Sequence, residues 1–394
     1  MNATHYPLAT STWDQDEFDA MQRVIASGNF TMGNEVRYFE ENFAAYTGSK
    51  YCVMVNSGSS ANLLIVAALR FSQNPKFQIS PGDEVIVPAV SWSTTYYPLQ
   101  QYGLKIKFVD IDIQTLNYDL KMLEQAVNDK TRMIMAVNLL GNPNDFQKIN
   151  KMIADKNILL IEDNCESLGA EYQGKQAGTF GLMGSYSSFF SHHISTMEGG
   201  MIVTNEEELY HILLSLRAHG WTRNLPKENK ITGTKSDNEI EESFKFVLPG
   251  YNLRPLELSG AIGVEQIKKL PKMIEARRQN ANKFQKLMQK FSWIHIQKEI
   301  EKSSWFGFSL VLDINAPTTR LKLIERLSDA RIDCRPIVAG DFTKNDVIKW
   351  FDYEVFGEMK NAKIIDKFGI FIGNHHYPLD AEFELLNNVL EQIS

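Results

Sequence analysis

The feature that most restricts this chain is the alternation, from about residue 50 to 205, of short apolar runs with helix-period stretches. YCVMVNS leads into ANLLIVAALRF, and DEVIVPAV, KIKFVDI, YDLKMLEQAVN, RMIMAVNLL, NILLIEDN and GMIVT follow. Runs apolar at nearly every position are what strands look like when both faces are covered, so a mostly parallel sheet flanked by helices is expected. On such a sheet ligands bind beyond the carboxyl ends of the strands. NSGSS, VPAVSW, IEDN and the pair His192–His193 all fall at such ends.

The rest of the chain reads differently. NLPKENKITGTKSDNEIEES, between Arg223 and Phe246, is polar enough to predict a long exposed loop. Two amphipathic helices are expected at ELSGAIGVEQIKKL and PKMIEARRQNANKFQKLMQKF, acting as a connector. WIHIQ, SSWFGFSLVLD, TRLKLIERLSDA and IDCRPIV then predict strand, strand, helix, strand, a small α+β unit. Single cores stop growing near ~250–300 residues. The 394 residues are therefore expected to divide into a large domain over 1–260 and connector helices plus a small C-terminal domain over 261–394.

Composition excludes some partners. A net charge of −7 without a dense Lys/Arg block argues against nucleic acid or an anionic membrane surface. No apolar run approaches the ~20 residues of a membrane span, and the first residues lack a secretory pattern, so a soluble cytoplasmic protein is expected. Cys52, Cys165 and Cys334 are far apart, which speaks against disulfides, zinc and an iron–sulfur cluster.

Four stretches carry chemistry. NSGSSANL sets a Gly-Ser-Ser turn between a strand and a helix, where N–H groups and the helix dipole can converge on an anion such as phosphate; alone, it is an ordinary N-capped helix. Glu162 and Asp163 end an apolar strand, so their side chains point to opposite faces and one enters the crevice, where a carboxylate needs a cationic partner. Trp92 can lie flat against a planar ligand, although a lone tryptophan is more often core filler. Ser187, five residues before His192, can reach the same phosphate. Together they describe a phosphate cradle, a flat ring and an acid for a ring nitrogen.

With these motifs the chain resembles the DegT/DnrJ/EryC1/StrS sugar aminotransferases, fold-type I (aspartate aminotransferase-like) pyridoxal-phosphate (PLP) enzymes. NSGSSANL resembles the family's phosphate turn, IEDNCESLGA its cofactor-aspartate strand, SFFSHHISTMEGG its cofactor-lysine segment and GYNLRPLELSGAIG a segment contributed by a second subunit. The resemblance implies cofactor contacts from Gly58, Ser59, Trp92, Asp163, Glu166 and Ser187, with Asn252 supplied by the neighbour in a homodimer. His219, Trp221 and Arg223 fall in a segment resembling the substrate-side loop, and Arg254 and Arg335 are candidates for a carboxylate or phosphate. His193 reads as a structural neighbour, and His375 and His376 as solvent-side.

One position departs from the family. Six residues ahead of Glu198, where the family has the lysine that ties the cofactor covalently, stands His192. An imidazole cannot make that bond, but it titrates near neutrality and can move protons. A small branch of the family shares the replacement and consists of 3-dehydratases. What this implies is non-covalent PLP and pyridoxamine phosphate, L-glutamate as amino donor, and a nucleotide-linked 4-keto-6-deoxy sugar, with GDP as the nucleotide. An ordinary aminotransferase, a silent cofactor-binding protein and a metal-dependent lyase using both histidines are the rivals. No third ligand at metal spacing supports the last.

Overall fold

The computed structural model describes residues 4–393. Its centre is an eight-stranded sheet in the order Tyr51–Val55, Gly200–Thr204, Met183–Ser187, Leu159–Asp163, Thr131–Val137, Glu84–Pro88, Lys105–Val109, Tyr353–Val355. Gly200–Thr204 is antiparallel to both neighbours, and every other pairing is parallel. The apolar runs of the sequence are these strands, and their period of two sorts side chains between two covered faces. Val53, Val55, Val85, Val87, Met133 and Met135 pack with helices Gly58–Phe71, Ser93–Gln101 and Glu207–Arg217. Ile86, Ile134 and Ala136 pack on the opposite side with Leu123, Phe146 and Ile149.

Progress across the sheet reverses between Glu84–Pro88 and Thr131–Val137: one neighbour follows outward by way of Lys105–Val109, the other by way of Leu159–Asp163. A crevice opens beyond strand ends at such a reversal. The functional residues collect there.

A smaller antiparallel sheet, ordered Ile294–His295, Gly307–Leu312, Gly369–Gly373, Cys334–Arg335, carries helices Arg320–Asp329 and Asp380–Glu391 on one face. Lys360–Phe368 packs with Phe306, Val311 and Phe371 on the other. The three-residue strand Tyr353–Val355 leaves this unit to extend the large sheet. Conversely, Tyr6 is buried in the small unit and donates its hydroxyl to Gly373 O at 2.7 Å.

Three expectations are corrected. The two connector helices are one helix, Glu257–Met288, 32 residues long with Pro271 inside. A mid-helix proline costs about 3 kcal/mol, but the buried stripe continues across it through Ile267, Leu270, Ile274, Ala281 and Phe284. The polar stretch after Arg223 is not one open loop. It forms the hairpin Glu228–Asn229/Gly233–Thr234 and the short helix Glu239–Ser243. Buried Glu242 gathers it, accepting from Thr222 Oγ1 at 2.7 Å, Ser236 N at 2.9 Å and Lys245 Nζ at 3.2 Å. His375 is buried rather than solvent-side: Nε2 lies 2.9 Å from Pro7 O and Nδ1 3.1 Å from Thr10 Oγ1, clamping the N-terminal segment. Burial holds its imidazole neutral, with a pKa pushed down to about 4.

Candidate active site

A cavity of about 330 Å³ opens at the strand reversal and is lined by Gly58, Ser59, Trp92, Asp163, Glu166, Ser187, His192 and Arg335. No lysine is among its lining residues. These residues come from five separate stretches of chain.

The strand Tyr51–Val55 ends in Asn56 and Ser57, and Ser57 caps the next helix by accepting from Ser60 N at 3.1 Å. The first N–H groups of a helix lack intrahelical partners and attract anions. A Cβ on Gly58 would sit 2.7 Å from Ser187 Cβ and 2.9 Å from Cys165 Sγ. The bare Cα is what lets this helix start abut the end of Met183–Ser187, so that Ser59 and Ser187 line the same cavity.

Trp92 caps helix Ser93–Gln101 and is 55% exposed. A tryptophan serving as core filler would be buried, so its indole face is available to a flat ligand.

The two acids divide as alternation predicts. Glu162 is fully buried on the far side, where it accepts N–H bonds from Gly178 at 2.6 Å, Phe180 at 2.5 Å and Gly181 at 2.7 Å. Asp163 turns to the cavity. Its Oδ2 accepts from Asn62 Nδ2 at 2.8 Å and Thr95 Oγ1 at 2.7 Å, and its Oδ1 from Cys165 N at 3.1 Å.

His192 rides on a loop closed at its base by Ser188 N to Gly199 O at 2.9 Å and Ser188 Oγ to Thr196 Oγ1 at 2.6 Å. Met197, with φ 68°, makes the left-handed step that completes the return. The imidazole lies against Phe306, ring centroids 5.1 Å apart, and edge-on to Phe189 at 6.0 Å. Its Nδ1 is buried and has no hydrogen-bond partner among the described residues. Burial, reinforced by the charges of Arg335 and Arg277, pushes the His192 pKa down to about 3. His193 is buried outside the cavity lining, with Nε2 3.2 Å from Ser304 O.

Glu166 accepts from Leu140 N at 3.2 Å and lies 4.0 Å from Arg335 Nη2, not bonded to His192. Burial raises its pKa, against the opposing pull of Arg335. Arg335 in turn stacks on Phe371 at 4.6 Å.

Asn252, His219, Arg223 and Arg254 do not line this cavity. They cluster elsewhere around Trp221: Arg223 lies 3.9 Å and Arg254 5.5 Å over its ring, His219 is edge-on at 5.1 Å, and Arg254 Nε donates to Asn252 Oδ1 at 2.9 Å. Sequence reading missed Asn62, Thr95, Phe306 and Arg277. Asn62 left a signal, the one amide inside the apolar run ANLLIVAALRF.

The cavity suits a phosphorylated flat heterocycle. The helix start and two hydroxyls offer donors for a phosphate, Trp92 a ring face and Asp163 an acceptor for a protonated ring nitrogen, with the imidazole of His192 on the same cavity wall as a candidate proton carrier. A sequence profile of the DegT/DnrJ/EryC1/StrS aminotransferase family matches residues 11–372. The chain is 60% identical over 389 residues to GDP-4-keto-6-deoxy-D-mannose 3-dehydratase of Yersinia pseudotuberculosis, with 98% of each chain covered. It superposes with TM-score 0.97 and 59% identity on the Escherichia coli GDP-4-keto-6-deoxy-D-mannose-3-dehydratase with bound hydrated PLP, covering 99% of this chain and 100% of that one. A structure of GDP-4-keto-6-deoxymannose-3-dehydratase with a trapped PLP-glutamate geminal diamine gives TM-score 0.96 at 59% identity, covering 98% and 100%. The aminotransferase-like fold expected from the motifs is thus borne out.

Proposed function

The chain belongs to the DegT/DnrJ/EryC1/StrS aminotransferase family, and on that footing we propose that it is a PLP-dependent 3-dehydratase removing the C3 hydroxyl of GDP-4-keto-6-deoxy-D-mannose, with L-glutamate as amino donor. The observation that carries this reading is His192 in a cavity lined by no lysine. The GDP sugar and glutamate are supported by the likeness to enzymes with that name and to the glutamate adduct.

When bound as pyridoxamine phosphate, the cofactor supplies an amine for the C4 ketone and a ring that absorbs electrons as the C3 hydroxyl leaves. The chain's residues do the rest. Gly58, Ser59 and Ser187 hold the phosphate, which must keep the cofactor in place without a covalent tether. Trp92 covers the ring, and Asp163 receives the ring N–H. His192 takes a proton from the carbon beside the amine and, in the glutamate half-reaction, carries the amino acid's α-proton. Burial keeps its imidazole neutral in the free protein, so one ring nitrogen carries a lone pair that can accept a proton. Glu166 fixes Arg335 at the rim, where a guanidinium can pair with a carboxylate.

The reading includes a homodimer in which Asn252, His219, Arg223 and Arg254 serve the neighbouring subunit's site. Support comes from their clustering outside their own chain's cavity. It also includes a cytoplasmic location; among the described residues no helix is long and apolar enough to cross a membrane.

The deciding experiment supplies PLP, L-glutamate and GDP-4-keto-6-deoxy-D-mannose and follows products by mass. The expected sugar is one oxygen lighter, with 2-oxoglutarate and ammonia released. A product that gains nitrogen and keeps its C3 hydroxyl identifies an aminotransferase instead.

A further inference from the structure

We infer that Asn62 and Thr95 are positioning residues that fix the charge and pose of Asp163, so that the proton shared between this carboxylate and the cofactor's ring nitrogen stays on the nitrogen. The inference rests on the proposed cofactor reading and goes beyond it by assigning work to two side chains that touch Asp163.

Asp163 Oδ2 accepts two hydrogen bonds, from Asn62 Nδ2 and Thr95 Oγ1. Both donors are themselves oriented. Asn62 Oδ1 accepts from Ser185 Oγ at 2.6 Å, while Asn62 Nδ2 also approaches Thr94 O at 3.4 Å. A carbonyl only accepts, so a flipped amide would set oxygen against both Thr94 O and the carboxylate. Thr95 Oγ1 pairs with Ser91 Oγ at 2.8 Å, and with Ser91 donating, the threonine proton is directed at Asp163. Asn62, Thr95 and Ser185 are all almost fully buried, so water cannot replace a lost donor.

Two donors on Oδ2 favour the carboxylate over the acid, because each bond is stronger to a charged oxygen than to a neutral carbonyl. Removing a donor from this dry pocket makes Asp163 a better proton acceptor. The shared proton then moves from the ring nitrogen to the acid, and the ring loses the positive charge that makes it an electron sink. Oδ1 takes a longer bond, from Cys165 N at 3.1 Å, which leaves that oxygen the freer one for the ring N–H.

The test loads wild type, Thr95→Val, Thr95→Ser and Asn62→Leu with PLP labelled at the pyridine nitrogen with ¹⁵N and records its chemical shift. A pyridinium shift is expected in wild type and Thr95→Ser. In Thr95→Val and Asn62→Leu it should move toward neutral pyridine, with PLP affinity lower by about tenfold, the weight of one charge-assisted hydrogen bond. Loss of PLP from folded Thr95→Val with retention in Thr95→Ser also supports the inference. Should Asn62→Leu fail to fold, the near-isosteric valine and serine pair decides alone. Normal PLP binding with the same pyridinium shift in Thr95→Val as in wild type overturns this inference and leaves the functional reading standing. Failure of the wild-type protein to bind PLP overturns both.

Discussion

Asp163 and His192 line one cavity and are held by opposite means. Three donors fix the carboxylate, two of them buried side chains that are themselves hydrogen-bonded. The imidazole has an unpartnered Nδ1 and is placed by the faces and edges of Phe306 and Phe189. A group that must keep its charge is best surrounded by fixed partners, because each hydrogen bond selects one protonation state. A group that must take and return a proton is better located by packing, which fixes the ring and leaves its nitrogens free. The contrast separates a permanent counter-ion from a proton carrier.

The largest test of that contrast is His192→Asn, which keeps a polar side chain and removes the proton carrier. Dehydration should fall by about 10²–10⁴-fold, the usual share of general acid–base catalysis, while PLP binding should change little. His192→Lys should capture the cofactor covalently, visible as a new absorbance band resistant to dialysis, and dehydration should stop. Full dehydratase activity in either variant removes His192 from its role.

Asp163→Asn comes next. Leaving a ring cation without its buried counter-charge should lower turnover by about 10²-fold, the scale of breaking a buried pair. Unlike His192→Asn it should also weaken PLP binding, measured by equilibrium dialysis. If both variants alter rate alone, the division between counter-ion and proton carrier fails.

Phe306→Leu sharpens the other half. Burial dominates the depression of the His192 pKa to about 3 from its ordinary 6.5. Losing an aromatic face admits water and lifts the pKa, so the imidazole becomes protonated, and useless as a base, at a higher pH than before. The acid limb of kcat/KM, which reports the free enzyme, should therefore move up by about one unit. A roughly tenfold drop in rate should accompany it as the ring loses its pose. A rate loss without a pH shift would make Phe306 a packing residue only.

The sequence carried the large sheet and most of the cavity because those depend on local pattern. Period-two apolar runs set the strands, and strand ends place NSGSS, Trp92, the pair Glu162–Asp163 and His192, while the choice of Asp163 over Glu162 also rests on the family resemblance. What stayed hidden depends on long-range proximity. Phe306 sits in SSWFGFSL among several aromatics, and nothing local says which ring reaches His192. The backbone that aims it includes Trp305 at φ 49° and a bond from Phe306 N to Leu140 O at 3.1 Å, neither written in periodicity. Tyr353–Val355 is too short for a pattern, and its parallel partner Lys105–Val109 is remote in sequence. Pro271 misled because a local breaker was outweighed by a buried stripe that tertiary packing rewards.

The smallest effect is expected at the neighbouring histidine, and it shows how sharply one residue step separates chemistry from structure. His193 Nε2 lies 3.2 Å from Ser304 O, so Nε2 carries the ring proton and donates to that carbonyl, and burial followed by the charge of Arg277 holds its pKa well below the usual histidine range. It is therefore a neutral donor tying the His192 loop to the segment that carries Phe306. His193→Phe keeps a ring but orphans Ser304 O, at about 1–3 kcal/mol, so thermal denaturation should begin a few degrees lower. His193→Gln, which retains an amide donor, should lose less. Turnover at a temperature where both variants are folded should stay within about threefold of wild type. A loss on the scale of His192→Asn would mean that the two imidazoles work as a relay.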